Sequence, residues 1–599
     1  MARIVMACVV AMALVTLLMV SASAQPANEI TLLNQADNAT STLTDGDLIR
    51  LAVELPEAVR ESIITSFYLD SNTHHIADCT IPTGGRGCTT APVGTLGWYW
   101  DHNEQVKPNH TVYAIEYAIS GWLRIASIEV SVNPRPVVLV HGFGSTYTIW
   151  NSYLGPSGYL ARVGLHGYAV GDGQVTGTLL TGNLLKPMLT TNTIAQNAAV
   201  LQDYIANVKA ETGAEQVDLI VHSMGGLIAR YYIDRLMEPR DVAQLIMLGT
   251  PNGGSDCAVL PGSLHLYQPA AIELRSDYVR HVFNPQITTP NSIPFYIFAG
   301  TPIQRPLFSP CSKVPHDMVV SLESASSIPA EVVEVPILHI HLNESEELFT
   351  DHVAPLLRKP ESEFAAQGGQ PTLRVEDESE LVQFSQIYTG FVNTPEGNEH
   401  TINIDNDVAV ASFGLYDPSR SLTVTVRGAS GNVITLSTEI HGLTIVDDPD
   451  SLIYLGYGFE NPNPGPWRVR VHPTQNTPPL GAEYAIVARY EGGAAIEAAL
   501  SNHLPGVGEQ VELTATLNLG DEALAIESAQ VAVYHPDGQT ETMPVSASGT
   551  ELRASWQPPQ PGIYGIDVSM RSVLADGSVI ERTTFLALEA FDVPPNLRQ

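Results

Sequence analysis

Four consecutive large apolar residues, Val137-Val138-Leu139-Val140, follow the proline-punctuated stretch Asn133-Pro134-Arg135-Pro136, and no other feature constrains the fold as tightly. A run without polar alternation belongs to a strand buried on both faces, the situation of a parallel sheet covered by helices. Behind Thr193, a residue that can cap a helix, Ile194, Leu201, Ile205 and Val208 recur at helical spacing. Val217-Asp218-Leu219-Ile220-Val221 reads as a second buried strand, Gly225 to Leu236 as a helix and Leu245-Ile246-Met247-Leu248 as a third strand. This alternation over residues 135–358 predicts a mostly parallel sheet with helices on both faces.

The flanks have a different texture. At 599 residues the chain is long enough for about three to five domains. After the Asp45-Gly46 turn, Ile49, Leu51, Val53 and Leu55 alternate with Arg50, Ala52 and Glu54, the period of a half-buried strand. Similar segments fill residues 25–134 and predict a β-sandwich domain. Residues 359–371 are polar and rich in Gly and Pro, as in a linker. Beyond them, residues 372–492 and 493–599 read as two further β-sandwich domains, the last immunoglobulin-like in pattern.

At the N-terminus, Arg3, the apolar run Ile4 to Val20 and Ser21-Ala22-Ser23-Ala24-Gln25 have the form of a signal peptide, residues 1–24. The expectation is an exported protein, secreted or at the cell surface. Cys79, Cys88, Cys257 and Cys311 remain after cleavage, enough for two disulfides with three pairings open. No His/Cys cluster has the spacing of a zinc site. The net charge of -35 argues against nucleic acid, whose phosphates it would repel, and against anionic lipid surfaces.

The chemistry centres on Val221-His222-Ser223-Met224-Gly225-Gly226, which leaves a buried strand and opens a helix. A serine in that strand–turn–helix context is held on a tight turn with its hydroxyl presented, and small neighbours relieve the crowding. The string, with Leu227-Ile228-Ala229-Arg230 after it, resembles the lipase and esterase group of the α/β-hydrolase family, including bacterial lipases and lecithin–cholesterol acyltransferase-like or lipid-remodelling deacylase-like hydrolases. Val221 departs from the family pattern G-x-S-x-G, standing where its first glycine belongs.

The resemblance covers roughly 135–358 and implies an α/β-hydrolase core flanked by β-sandwiches, with a Ser-Asp-His triad acting on carboxylic esters. His141-Gly142-Phe143-Gly144-Ser145 is similar to the loop that supplies one oxyanion amide, which carries over to Phe143; the second falls on Met224. Leu248-Gly249-Thr250-Pro251-Asn252-Gly253-Gly254-Ser255 resembles an architectural segment of the same group. A serine hydroxyl needs a histidine base, and the histidine needs an acid, in the chain order Ser, Asp, His. Pro315-His316-Asp317-Met318-Val319-Val320-Ser321 resembles the family's D-G-x-V segment, so Asp317 is the expected acid and Glu323 its rival. Ile337 to Asn343 reads as the end of a strand, and His341 is preferred to His339 as the base because it leads directly into the next helix. His222 and His141 are assigned packing roles, and His352 a place on a helix surface.

Two leucine-rich insertions flank this site. Residues 172–192 carry Leu179, Leu180, Leu184, Leu185, Met188 and Leu189; residues 255–292 carry Leu260, Leu264, Leu266, Tyr267 and Val279. Apolar loops over a nucleophile suit an acyl chain, pointing to lipid or medium-chain esters. Acyl transfer by the same triad, or an adhesion or scaffold protein carrying a decayed hydrolase, are the competing expectations. No cofactor is expected, the metal content and oligomeric state stay open, and the β-sandwiches could contact glycans or the cell surface. Asn38, Asn109 and Asn343 lie in N-x-S/T sequons.

Overall fold

The computed structural model describes residues 28–118, 121–182, 189–237, 240–255, 268–288, 293–304, 315–358, 384–434, 444–447 and 455–593. The expected signal peptide, the 359–371 linker and both Cys257 and Cys311 lie outside the described residues. So do Leu184, Leu185, Met188, Leu260, Leu264, Leu266 and Tyr267. Two compact units result, one running through Arg135 together with Gly213–Gln216 and Arg358, the other containing Pro136–Thr212, Val217–Leu357 and the described chain from 384 onward.

The first unit is built from two mainly antiparallel five-stranded sheets. Leu48–Glu54 buries Ile49, Leu51 and Val53 and leaves the alternate residues more open, as the period of two predicts. Cys79 and Cys88 form a disulfide, clipping the strand His75–Ile81 to Gly87–Thr89.

The second unit is organised on six parallel strands: β1 (Val137–Val140), β2 (Gly167–Ala169), β3 (Val217–His222), β4 (Val242–Leu248), β5 (Phe295–Gly300) and β6 (Glu331–Val335), in the spatial order β2-β1-β3-β4-β5-β6. β1, β3, β4 and β5 are buried at every residue, which explains why they are almost wholly apolar; the polar Asp218 and Gln244 on β3 and β4 pair with each other at 2.9 Å. On one face Val138, Val140, Leu219, Val221, Leu245, Met247 and Ile297 pack with helix α1 (Ile194–Thr212), helix α2 (Gly225–Tyr231) and the helical segments of 269–286. On the other, Leu139 lies near Gly167 and Leu160, Phe298 meets His352, and the Leu356 carbonyl accepts from Gln244. Helices therefore cover both faces.

Helix α1 begins where sequence places it. Thr193 and Gln196 cap each other's backbone N–H groups, at 3.1 and 3.0 Å, as a reciprocal capping box. The buried Glu273 carboxylate accepts the Ile194 N–H at 2.8 and 3.0 Å, fastening the 269–273 helix to this N-terminus.

Beyond the parallel sheet and its helices the described chain is strand and turn. Phe384–Val392, Val408–Tyr416, Thr444–Asp447, Leu455–Glu460 and Ala482–Gly492 form one antiparallel sheet, and Asn398–Ile404, Leu422–Arg427 and Gly465–Pro473 another. Both contribute to one core around Phe413, Phe459 and Trp467. From Ala494 onward two more sheets share a second core around Trp556 and Tyr564. Tyr534, Ile563 and Ala587 of this last part are buried in the core that the parallel sheet shares with helices α1 and α2.

Candidate active site

The chain leaves β1 for the edge strand β2 and returns through α1 to β3 on the opposite side of β1. In an open parallel sheet such a reversal opens a crevice at the carboxyl ends of the two diverging strands. His141-Gly142-Phe143 follows β1 and Ser223 follows β3, so both motifs sit at that crevice.

Ser223 has φ of 55°, a left-handed backbone that a non-glycine residue adopts only when its surroundings impose it. They do so through close packing. A Cβ on Gly142 would lie 2.6 Å from the Ser223 Cβ and 3.1 Å from the Met224 nitrogen. One on Gly225 would lie 2.7 Å from the Val140 carbonyl, and one on Gly226 2.0 Å from Thr250 Oγ1. The turn is thus pressed against β1 and the end of β4, and the Ser223 N–H donates to the Leu248 carbonyl at 3.0 Å. Val221, the departure from the family pattern, sits inside β3 with its side chain in the helix-covered core. The close approaches the turn requires are made by Gly142, Gly225 and Gly226, so the fold accepts valine there.

Asp317 is 1% exposed and tightly specified. Its Oδ1 accepts the N–H groups of Val319 and Val320 at 2.9 and 2.6 Å, and its Oδ2 lies 2.8 Å from Nδ1 of His339. Met318, where the family segment has glycine, takes φ of 81°, the conformation that favours glycine. The structure therefore pairs Asp317 with His339, which packs against His222 beside Ser223, and leaves His341 outside. The predicted strand at Ile337–Asn343 is absent: β6 ends at Val335, and His339–His341 is a 3₁₀ turn. The His339 N–H donates to the Asp317 carbonyl at 3.0 Å, which turns this residue inward. His341 faces out, about half exposed, with Nδ1 3.4 Å from Glu344.

The His339 ring lies over Gly249, whose added Cβ would fall 2.9 Å from Nδ1; φ at Gly249 is 62°. With Nδ1–H directed at the Asp317 carboxylate, the lone pair of the imidazole is on Nε2. His222 does more than pack: its Nε2 lies 2.9 Å from the His339 carbonyl, and the two rings are 4.7 Å apart. That bond requires Nε2–H; burial, with the neighbouring His339, outweighs it and pushes the His222 pKa down to about 3, which keeps the ring neutral. Burial likewise lowers His141 to about 4; its Nδ1 is 3.2 Å from the Gly142 carbonyl.

The other sequence expectations resolve simply. Glu323 is on the surface, paired with Arg280 at 3.0 Å, and takes no part. His352 rests against Phe298. Leu179 and Val279 are core residues, while Leu180 and Leu189 are exposed, at 53% and 50%. Asn343 is buried, its amide donating to the Ile149 carbonyl at 2.6 Å, a site with no room for a glycan.

A parallel sheet with a serine on a strained strand–helix turn and a buried histidine–aspartate pair at the same crevice defines the α/β-hydrolase class. Residues 137–340 match the profile of the alpha/beta hydrolase family. The chain is 32% identical over 134 residues to a triacylglycerol lipase of Burkholderia plantarii, covering 22% of this chain and 34% of that protein. It is 31% identical over 133 residues to a triacylglycerol lipase of Pseudomonas fragi, covering 22% and 40%. The chain thus spans well under half the length of these curated relatives. Among solved structures, the propeptide form of a Bacillus licheniformis lipase aligns over 76% of this chain and 96% of its own, with 13% identity and a TM-score of 0.47. Through this central segment the chain is similar to lipases of the α/β-hydrolase family.

Proposed function

We propose that this chain is an exported serine hydrolase that cleaves carboxylic esters through Ser223, His339 and Asp317. The observation that carries the reading is the buried 2.8 Å contact between His339 Nδ1 and Asp317, at the crevice where Ser223 is held on its left-handed turn. His339 Nε2 takes the Ser223 proton as the hydroxyl oxygen attacks the ester carbonyl. The tetrahedral oxyanion is received by the N–H groups of Phe143 and Met224, on two loops that Gly142 allows to abut. His339 then protonates the departing alcohol, and water, deprotonated by the same nitrogen, releases the acid from the acyl-enzyme. The exposed Leu180, beside Thr181 whose carbonyl accepts the Gly144 N–H, and the exposed Leu189 of the same insertion support a lipid or medium-chain acyl group. The signal-like N-terminus supports export, and the paired antiparallel sheets are read as β-sandwich modules.

The test is hydrolysis of p-nitrophenyl esters from acetyl to palmitoyl by the purified protein and its Ser223→Ala variant. Turnover confined to the wild type is expected, and the preferred chain length separates esterase from lipase. Equal rates in the two proteins, or no rate on any ester, would overturn the proposal.

A further inference from the structure

The last antiparallel part of the chain meets the hydrolase domain through the helical run after Pro269. Arg275 pairs with Asp567 at 3.1 Å and donates to the Leu586 carbonyl at 3.2 Å, while Tyr278 reaches Glu589 at 3.4 Å. Between these contacts, Asp277 and His281 stand one turn apart, and His503 approaches from the segment between strands Ala494–Leu500 and Val511–Leu519. One ligand-capable atom from each of the three lies within 4.8 Å of the other two. None of them belongs to the Ser223 site.

We propose that Asp277, His281 and His503 bind a divalent cation of the zinc class, which ties the terminal part of the chain to the hydrolase domain. Two imidazoles and one carboxylate are the nitrogen and oxygen donors such an ion selects, with water completing the shell. The Asp277 side chain is 15% exposed, and a withdrawn carboxylate needs a cation or several donors. Its Oδ2 has one backbone donor, the Ala587 N–H at 2.7 Å. Its Oδ1 stands 3.8 Å from Nε2 of His281. That gap is too long for a hydrogen bond. It is close to the roughly 3.4 Å that separates two ligands of a tetrahedral ion with bonds of about 2.1 Å.

The Nδ1 of His503 lies 2.9 Å from the Ala587 carbonyl. The same Nδ1 stands 3.6 Å from Asp277 Oδ2, and with Nδ1–H given to the carbonyl the lone pair for an ion is on Nε2. The same residue, Ala587, thus steadies both Asp277 and His503. The His281 and His503 rings stack at 4.7 Å with 19° between their planes, and His281, at 56% exposed, can close the remaining distance by rotation.

The experiment uses the full mature protein, free of any affinity tag and stripped with EDTA. Zinc is titrated by calorimetry, and cobalt is added separately for its visible absorption. One equivalent bound at micromolar Kd or tighter, with tetrahedral cobalt bands, is expected. His281→Ala, at an exposed position that leaves the fold intact, should weaken zinc binding at least tenfold and erase the bands, as should His503→Ala. Wild type and His281→Ala binding zinc alike, or neither binding it, would overturn the proposal; that outcome leaves the three side chains as a metal-free interdomain contact.

Discussion

Replacing Asp317 by asparagine tests the histidine assignment and the direction of its proton at once. Asp317 Oδ1 accepts two backbone N–H groups, from Val319 at 2.9 Å and Val320 at 2.6 Å. An asparagine must keep its carbonyl oxygen there, because an NH₂ group facing those donors would leave buried polar groups unpaired, at about 1–3 kcal/mol each. Its NH₂ is therefore forced toward His339 Nδ1, now 2.8 Å from the carboxylate. Nδ1 can then only accept, the ring proton moves to Nε2, and no lone pair remains for the Ser223 hydroxyl. An intact geometry with the wrong tautomer costs about 10⁴ in kcat, roughly 5.4 kcal/mol of barrier. KM and the urea midpoint should change little, since size and the backbone bonds are kept. Steady-state hydrolysis of p-nitrophenyl butyrate is the assay, with His341→Ala as the companion variant, expected within about twofold of wild type because that side chain faces solvent. Asp317→Asn within tenfold of wild type, or His341→Ala as inactive as His339→Ala, would refute the reasoning.

Three further outcomes follow from the packing. Gly226→Ala places a methyl 2.0 Å from Thr250 Oγ1 and 2.4 Å from its Cγ2, so it should destabilise by about 1–3 kcal/mol; an unchanged urea midpoint would contradict the close approach. His141, His222 and His316 are lowered by burial to about 4, 3 and 3, so their imidazole carbon signals should stay fixed from pH 8 to 5 while exposed histidines titrate; movement of all histidine signals near pH 6.5 would disprove it. The linked stability is complete above the unfolded histidine pKa of about 6.5 and is withdrawn as pH falls toward those folded values, by at most about 1.4 kcal/mol per pH unit for each; Glu273 and Asp277, raised by burial, act in the opposite sense. Asp405→Ala strands Arg582, its buried partner at 2.8 Å, at a cost of about 3–5 kcal/mol, visible as a lowered thermal midpoint; a midpoint unmoved within one degree would show that the pair contributes nothing.

Val221 bears on the reading of a decayed hydrolase. A valine in place of the first motif glycine would matter if that position touched the helix backbone or the turn. It lies instead in β3 with its side chain among core apolar residues, and the glycines at 142, 225 and 226 make the tight contacts.

Local pattern determined β1, β3, β4 and β5, helix α1 with its Thr193 cap and the strand-to-helix turn carrying Ser223, because each depends on residues a few positions apart; the short β2 and β6 escaped it. The segment holding Asp317 was read through its resemblance to the family's D-G-x-V string, and Met318, standing where that string has glycine, takes a glycine-like backbone. Tertiary structure alone decided between His339 and His341. Two residues separate them, both precede a helix, and the choice rests on a backbone bond from His339 to a carbonyl 22 positions earlier. It also decided that His222 grips His339 and that Asn343 is buried. The meeting of Asp277 and His281 with His503, brought from another part of the chain, left no trace in local spacing. Periodicity records how a side chain stands to its own element. Which distant group it meets is set by how elements stack, and a single sequence carries that only through the packing as a whole.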